Sequence, residues 1–296
     1  MKQLVRMALG IMISLSLYGQ AAANIKVVAA ENFYGNLAAL IGGDDVKVTS
    51  IISNPNVDPH LFITSPSTAV AINHADVIIY NGAGYDPWIK PLLQGKKSHH
   101  EIVIIDVSRL VKVRSDGNPH LWYSPKALST VAKKLKRIFS TLEPTQQKTF
   151  ASHLATFEQH LQAVNRKIDA LKRRYQGTAV TATEPVFGYM ADALGLKMLG
   201  EDFQWTLMND AEPTPRMLIR YKSLLTQHKI KVLFYNRQVE DNTTKNILTL
   251  ARKNHIPLVG VTETMPLKDN VITWFKTTLA NTEQALEIAT HKLQNQ

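Results

Sequence analysis

The chain alternates short β-branched runs with stretches in which apolar residues recur at helical spacing. Residues 25–29, 46–52, 77–80 and 102–106 are apolar runs of strand length, with helical patterns at 32–41 and 67–75. A second series begins after Gly177, where 179–182, 232–235 and 258–261 read as strands separated by helical patterns at 186–194, 216–228 and 243–254. Strand and helix in alternation argue for parallel sheets with helices on their faces. The expected fold is therefore α/β, in two halves.

Between the halves, Pro144 opens a segment whose apolar residues are Phe150, Leu154, Phe157, Leu161, Val164, Ile168, Leu171 and Tyr175. Steps of alternately 4 and 3 residues put all eight on one helical stripe. From 144 to 175 such a helix would extend roughly 45 to 50 Å at about 1.5 Å per residue. Heptad spacing also fits a coiled-coil partner, but a lone stripe between two α/β halves has their own surfaces to cover. One continuous helix would resist large hinge bending.

Lys2 and Arg6, an apolar run from Met7 to Tyr18 and then Ala21-Ala22-Ala23 have the layout of a cleavable secretory signal, cut after Ala23. The run is shorter than the roughly 20 apolar residues of a membrane span, and no later stretch reaches that length. An exported protein without stable membrane insertion is expected, with a signal at 1–23, a first lobe at 24–143, the connecting helix at 144–176 and a second lobe at 177–296. The formal charge of +10 falls to +8 once Lys2 and Arg6 leave with the signal. The basic clusters Lys133, Lys134, Lys136, Arg137 and Lys172, Arg173, Arg174 lie on helix-patterned stretches, which reads as a solvated face and not as a nucleic-acid surface. There is no cysteine. That excludes disulfides, thiolate metal sites and a lipid-bearing cysteine, so any metal must be held by nitrogen and oxygen.

Two copies of one short pattern, Asp58-Pro59-His60-Leu61-Phe62 and Asn118-Pro119-His120-Leu121-Trp122, place two histidines 60 residues apart in nearly identical settings. Proline restricts its own φ and pushes the preceding residue toward extended geometry, so each imidazole leaves a stiff, non-helical turn. Either histidine alone reads as an ordinary surface residue; the duplication points to a paired metal site. The second half supplies carboxylates at the ends of expected strands, Glu184 and Glu263. In open α/β sheets, ligands collect outside the carboxyl ends of the strands. Alone, Glu184 also fits a first-turn helix residue set against the macrodipole, and Glu263 a solvent-exposed loop.

The order of these segments resembles the periplasmic solute-binding proteins of zinc and manganese ABC importers. The likeness is carried by Ala29-Ala30-Glu31-Asn32-Phe33-Tyr34-Gly35, the two histidine turns, Ala75-Asp76-Val77-Ile78, Asn81-Gly82-Ala83-Gly84-Tyr85-Asp86-Pro87-Trp88 and the long helix. It implies two Rossmann-like lobes joined by a rigid helix and a four-ligand site in the cleft. Carried over residue by residue, the ligands are His60 and His120 from the first lobe and Glu184 and Glu263 from the second. It also implies a monomeric receptor that hands its metal to a membrane permease. Zinc-type members usually have histidine where this chain has Glu184, and the loop before the second turn is here only Val113-Arg114-Ser115-Asp116-Gly117. The family usually has aspartate where Glu263 stands; Glu240 and Asp241 are the reserve candidates.

Oxygen ligands suit manganese better than an all-imidazole set would, whereas zinc accepts either and binds most N/O sites more tightly. Two imidazoles with two carboxylates look manganese-like, with zinc and iron(II) still open. Four protein ligands leave no position for a substrate, which argues against catalysis. One alternative is an exported metallo-hydrolase with Glu184 or Glu263 as general base, but it lacks a His-Glu-x-x-His signature and a Gly-x-Ser-x-Gly elbow. The other is an adhesin or organic-solute module, with Tyr85, Trp88, Trp122 and Trp205 lining a pocket. Aromatic residues of this kind more often pack a core. His99-His100 reads as a solvated loop.

Overall fold

A computed structural model of the chain describes residues 24–294 apart from 55–58, 60, 61, 97–99 and 240. The signal-like segment, Asp58, His60, Leu61, His99 and Glu240 thus lie outside the described residues. In the first half, β1 (Ile25–Glu31), β2 (Val46–Ile52), β3 (Val77–Tyr80) and β4 (Val103–Asp106) form a parallel sheet in the order β2-β1-β3-β4. Val27 sits in register with Val48 on one side and Val77 on the other. In the second half, β5 (Ala179–Ala182), β6 (Lys197–Met198), β7 (Val232–Asn236) and β8 (Leu258–Val261) form a parallel sheet in the order β6-β5-β7-β8. The strand order turns back between β1 and β3 and again between β5 and β7, and ligand crevices open at such switch points.

Helix α1 (Asn32–Gly42) follows β1 directly, and α2 (Pro66–Asn73) starts at a capping box on Ser65. Short helices α3 (Ile89–Gln94) and α4 (Val107–Leu110) flank β4. Helix α5 (Pro125–Leu142) is capped by Ser124, which accepts the Ala127 N–H at 3.3 Å. The long helix α6 (Gln147–Tyr175) begins three residues later than the proline suggests, because residues 144–146 form a 3₁₀ turn. Its stripe is covered from within the protein: Phe150, Phe157, Leu161, Val164, Ile168, Leu171 and Tyr175 are buried, Leu154 partly. A coiled-coil partner is not needed to cover it.

The second half continues with α7 (Gly188–Ala193), α8 (Glu201–Met208), α9 (Pro215–Thr226), α10 (Asn242–Lys253) and α11 (Val271–Gln294). The helix expected over 186–194 splits into a 3₁₀ turn at 185–187 and α7. The α11 helix packs along α6, and Lys167 and Arg174 on α6 pair with Glu283 and Glu287 on α11. Lys133 on α5 pairs likewise with Glu158 on α6 at 3.3 Å.

One apolar cluster runs from Val27 and Val77 in the first sheet through α5 and α6 to Val180 and Phe234 in the second. A ladder of rings marks the crossing: Phe33 on Trp122 at 4.7 Å, Tyr123 on Phe187 at 5.4 Å, Phe187 on Phe234 at 4.4 Å. Independent lobe motion is the default unless the interface between lobes is large and hydrophobic. Here it is continuous with both cores, so large relative motion is opposed. Among the described residues no helix is long and apolar enough to cross a membrane.

Candidate metal centre

The loops that follow the strands of both sheets meet across the cleft. Asn32, at the start of α1, donates from Nδ2 to the Met265 carbonyl at 2.7 Å and accepts the Met265 N–H on Oδ1 at 3.0 Å. Asn118 donates to the Pro185 carbonyl at 2.8 Å, and Tyr123 to the Thr262 carbonyl at 3.0 Å. The loops bearing His120, Glu184 and Glu263 are therefore cross-linked to one another through backbone contacts on either side of those side chains.

His120 is fully buried in a turn closed by the Leu121 N–H on the Pro119 carbonyl at 2.7 Å. Asn118 Oδ1 accepts the His120 backbone N–H at 3.0 Å and lies 2.7 Å from Nδ1. Because Asn118 Nδ2 faces a carbonyl, its Oδ1 is an acceptor and His120 Nδ1 must carry the proton. That tautomer makes Nε2 the lone-pair nitrogen, the arrangement in which an outer hydrogen bond orients a metal-binding imidazole. Gly188 leaves room for this amide: a Cβ there would lie 2.7 Å from Asn118 Nδ2. In the first copy of the turn, Pro59 is buried, the Phe62 N–H donates to the Pro59 carbonyl at 3.3 Å, and Phe62 packs on Trp88 at 4.9 Å. His60 itself is outside the described residues.

Glu184 follows β5 and Glu263 follows β8; they are 7% and 1% exposed. The solvent-exposed reading of Glu263 is thereby corrected. Glu184 stands at the N-cap of the 3₁₀ turn without capping it; instead both carboxylates meet the Asn236 amide. Asn236 Nδ2 donates to Glu184 Oε2 at 2.8 Å and to Glu263 Oε1 at 2.6 Å. Asp241, a reserve candidate, is occupied as the N-cap of α10, accepting the Thr244 N–H at 2.9 Å.

Tyr85 connects the two sides. It is fully buried, its ring centroid lies 6.2 Å from that of His120, and its hydroxyl meets Glu263. Burial, then the Glu263 charge, raises its pKa. Tyr85 and Trp122 are core residues and do not line a solute pocket. The structure thus brings Glu184 and Glu263 together about one amide and places His120 one ring away. Among the described residues no three His, Asp or Glu side chains form a group able to hold a metal ion.

Two further acidic residues, with no local pattern to mark them out, lie behind this cleft. Glu31 ends β1 fully buried, with its carboxyl hydrogen-bonded to that of Asp86. Asp86 is its neighbour, and accepts the Asn81 and Gly82 N–H groups at 2.6 and 2.9 Å. Burial, then the Asp86 charge, pushes the Glu31 carboxyl well above the usual range; burial pushes Asp86 up to about 6 against the pull of those two N–H groups. Two carboxyls facing each other in this way share a proton.

Residues 27–287 match the sequence profile of the family described as Zinc-uptake complex component A periplasmic. The chain belongs to that family. Its members are substrate-binding receptors that work with ABC permeases. The manganese-binding lipoprotein MntA of Bacillus subtilis is 26% identical over 246 residues, covering 80% of this chain and 79% of that protein. The iron-binding protein YfeA of Yersinia pestis is 21% identical, covering 76% and 74%. The solved periplasmic zinc binding protein TroA of Treponema pallidum shares the fold, with a TM-score of 0.72 at 16% identity, over 89% of this chain and 99% of that one. The two-lobe α/β architecture with a long connecting helix is that of the family.

Proposed function

We propose that this protein captures a divalent transition metal, Mn2+ or Zn2+, on His60, His120, Glu184 and Glu263 and delivers it to an ABC importer permease. The observation that carries this reading is the pairing of two buried glutamates on one amide, in loops cross-linked to the turn that bears His120. Two carboxylates so close together and so deeply buried are costly unless a proton or a cation joins them. Metal arrival would supply that charge, and the remaining ligand movement is a closing of loops and not a swing of lobes. The permease would read the ordered loops. The reading includes a monomeric, non-catalytic receptor, exported and cut after Ala23, with lobes at 24–143 and 177–296 joined through 144–176. No comparison favours the metallo-hydrolase.

Metal-free protein should take up about one equivalent of zinc or manganese, with uptake weakening as acid protonates His60 and His120. His60→Ala and His120→Ala should each abolish stoichiometric uptake. Equilibrium dialysis with elemental analysis reads both results. Uptake of neither metal, or uptake unchanged in both variants, contradicts the proposal.

A further inference from the structure

Asn236 ends β7 at the switch point of the second sheet and is 1% exposed. Its amide cannot turn over. Oδ1 accepts the Gln238 N–H at 3.0 Å, which commits Nδ2 to donation, and its two protons go one to each carboxylate. Gln238 then fixes the loop: its Oε1 accepts the Glu263 N–H at 2.5 Å and its Nε2 donates to Thr264 Oγ1 at 3.0 Å. Thr183, next to Glu184, accepts the Asn236 backbone N–H at 3.3 Å. Both carboxylates are thus held by one residue, which also engages the Thr183 hydroxyl directly and the Glu263 backbone through Gln238.

We propose that Asn236 sets the choice of cation. This deepens the reading above and rests on Glu184 and Glu263 being ligands. A carboxylate oxygen that accepts an N–H has one lone pair engaged and is turned toward its donor, which favours metal binding through the other oxygen, as a one-point ligand. Two such carboxylates and two imidazoles make four ligands, the number a closed zinc site takes. Manganese favours six-coordinate, oxygen-rich surroundings, which these residues would approach only if both carboxylates bound through two oxygens. The Asn236 amide opposes that mode at both glutamates at once. It is a positioning residue that tilts a mixed nitrogen and oxygen site, manganese-like by composition, toward zinc.

Metal-free wild type, Asn236→Ala and Asn236→Asp are titrated with zinc and with manganese in competition with a chelator. Loss of an outer-shell hydrogen bond costs about 10–100-fold in metal affinity; here it falls on zinc, so the zinc-over-manganese ratio drops by that factor in both variants. A ratio that changes by less than about threefold, or equal losses for both metals, overturns the assignment. X-ray absorption of the zinc-loaded wild type needs no variant to fold. It should show four N/O ligands at about 2.0–2.2 Å, and five or six overturn the proposal. Glu184→Gln and His120→Ala separate the two layers. If they keep both metals, the site reading itself fails; if they lose both while the Asn236 variants keep the wild-type ratio, only the role of Asn236 fails.

Discussion

Replacing Glu31 by glutamine tests the buried acid pair at the carboxyl end of the first sheet. Asp86, raised from 3.8 to about 6, is the better defined member of the pair. That difference of about 2 units corresponds to about 3 kcal/mol at 1.36 kcal/mol per unit. Because the folded-state pKa is raised, the native protein holds the proton more tightly than the unfolded chain. The contribution is complete below about pH 4 and is lost as the pH rises through about 6. Tyr34, Tyr80, Tyr85 and Asp106 lie around the pair, and the positive charge in this surrounding, Arg109, acts on Tyr80 and is paired with Asp106 at 3.4 Å. The Glu31→Gln change removes the carboxyl that burial and the Asp86 charge raise, while its amide N–H can take over the hydrogen bond that the Glu31 carboxyl gives Asp86, so the proton that folding adds at Glu31 is lost and Asp86 is left much as it was. Urea unfolding of metal-free protein at pH 4.5 and pH 7.5, followed by circular dichroism, reads the effect. Relative to wild type, Glu31→Gln should gain stability at the higher pH over the lower, by up to about 1.36 kcal/mol for each pH unit across which Glu31 keeps its proton in the native protein alone. An equal change at both pH values would refute the shared proton.

Two other substitutions probe how the ligand loops are held. Asn32→Ala leaves the Met265 N–H and carbonyl without their buried partner; at about 1–3 kcal/mol for each group, unfolding free energy should fall by about 2–6 kcal/mol in denaturant titration. A loss under about 0.5 kcal/mol would mean that this cross-link contributes nothing. Gly188→Ala pushes a methyl against Asn118 Nδ2 and misaims His120; metal affinity should drop about 10–100-fold with little change in the melting temperature of the metal-free protein. Unchanged affinity would show that Asn118 does not aim the imidazole.

The strands were legible because buried parallel strands are short continuous apolar runs, and 46–52, 77–80, 179–182 and 258–261 coincide with β2, β3, β5 and β8. The stripe on α6 was legible because its spacing is helical along its whole length. Helix α11 was not read from its pattern. It carries threonines, poor helix formers, whose hydroxyls bond back into the helix, Thr278 to the Trp274 carbonyl at 2.9 Å and Thr282 to the Thr278 carbonyl at 2.8 Å. In the site, Glu184 and Glu263 stood out as carboxylates at strand ends, a local signal. Asn236, Asn118, Glu31 and Asp86 did not, since each acts through a partner brought near only by folding. Asn236 reaches 52 residues back to Glu184 and 27 forward to Glu263. The strand-end rule would have reached Asn236 had it been applied to amides as well as to acids. Glu31 fell inside a recognised segment but carried no sign of burial, because acid pairs are hidden only by tertiary packing.

The central claim is that imidazoles from one half and carboxylates from the other hold one cation, and a crystal structure of the metal-loaded protein, with the ion placed by its anomalous scattering, tests it most directly. A single ion is expected in the cleft, about 2.0–2.2 Å from a nitrogen of His60, Nε2 of His120 and one oxygen each of Glu184 and Glu263. An ion bound elsewhere, or one held by His60 and His120 while Glu184 and Glu263 remain on Asn236 out of reach, would contradict it.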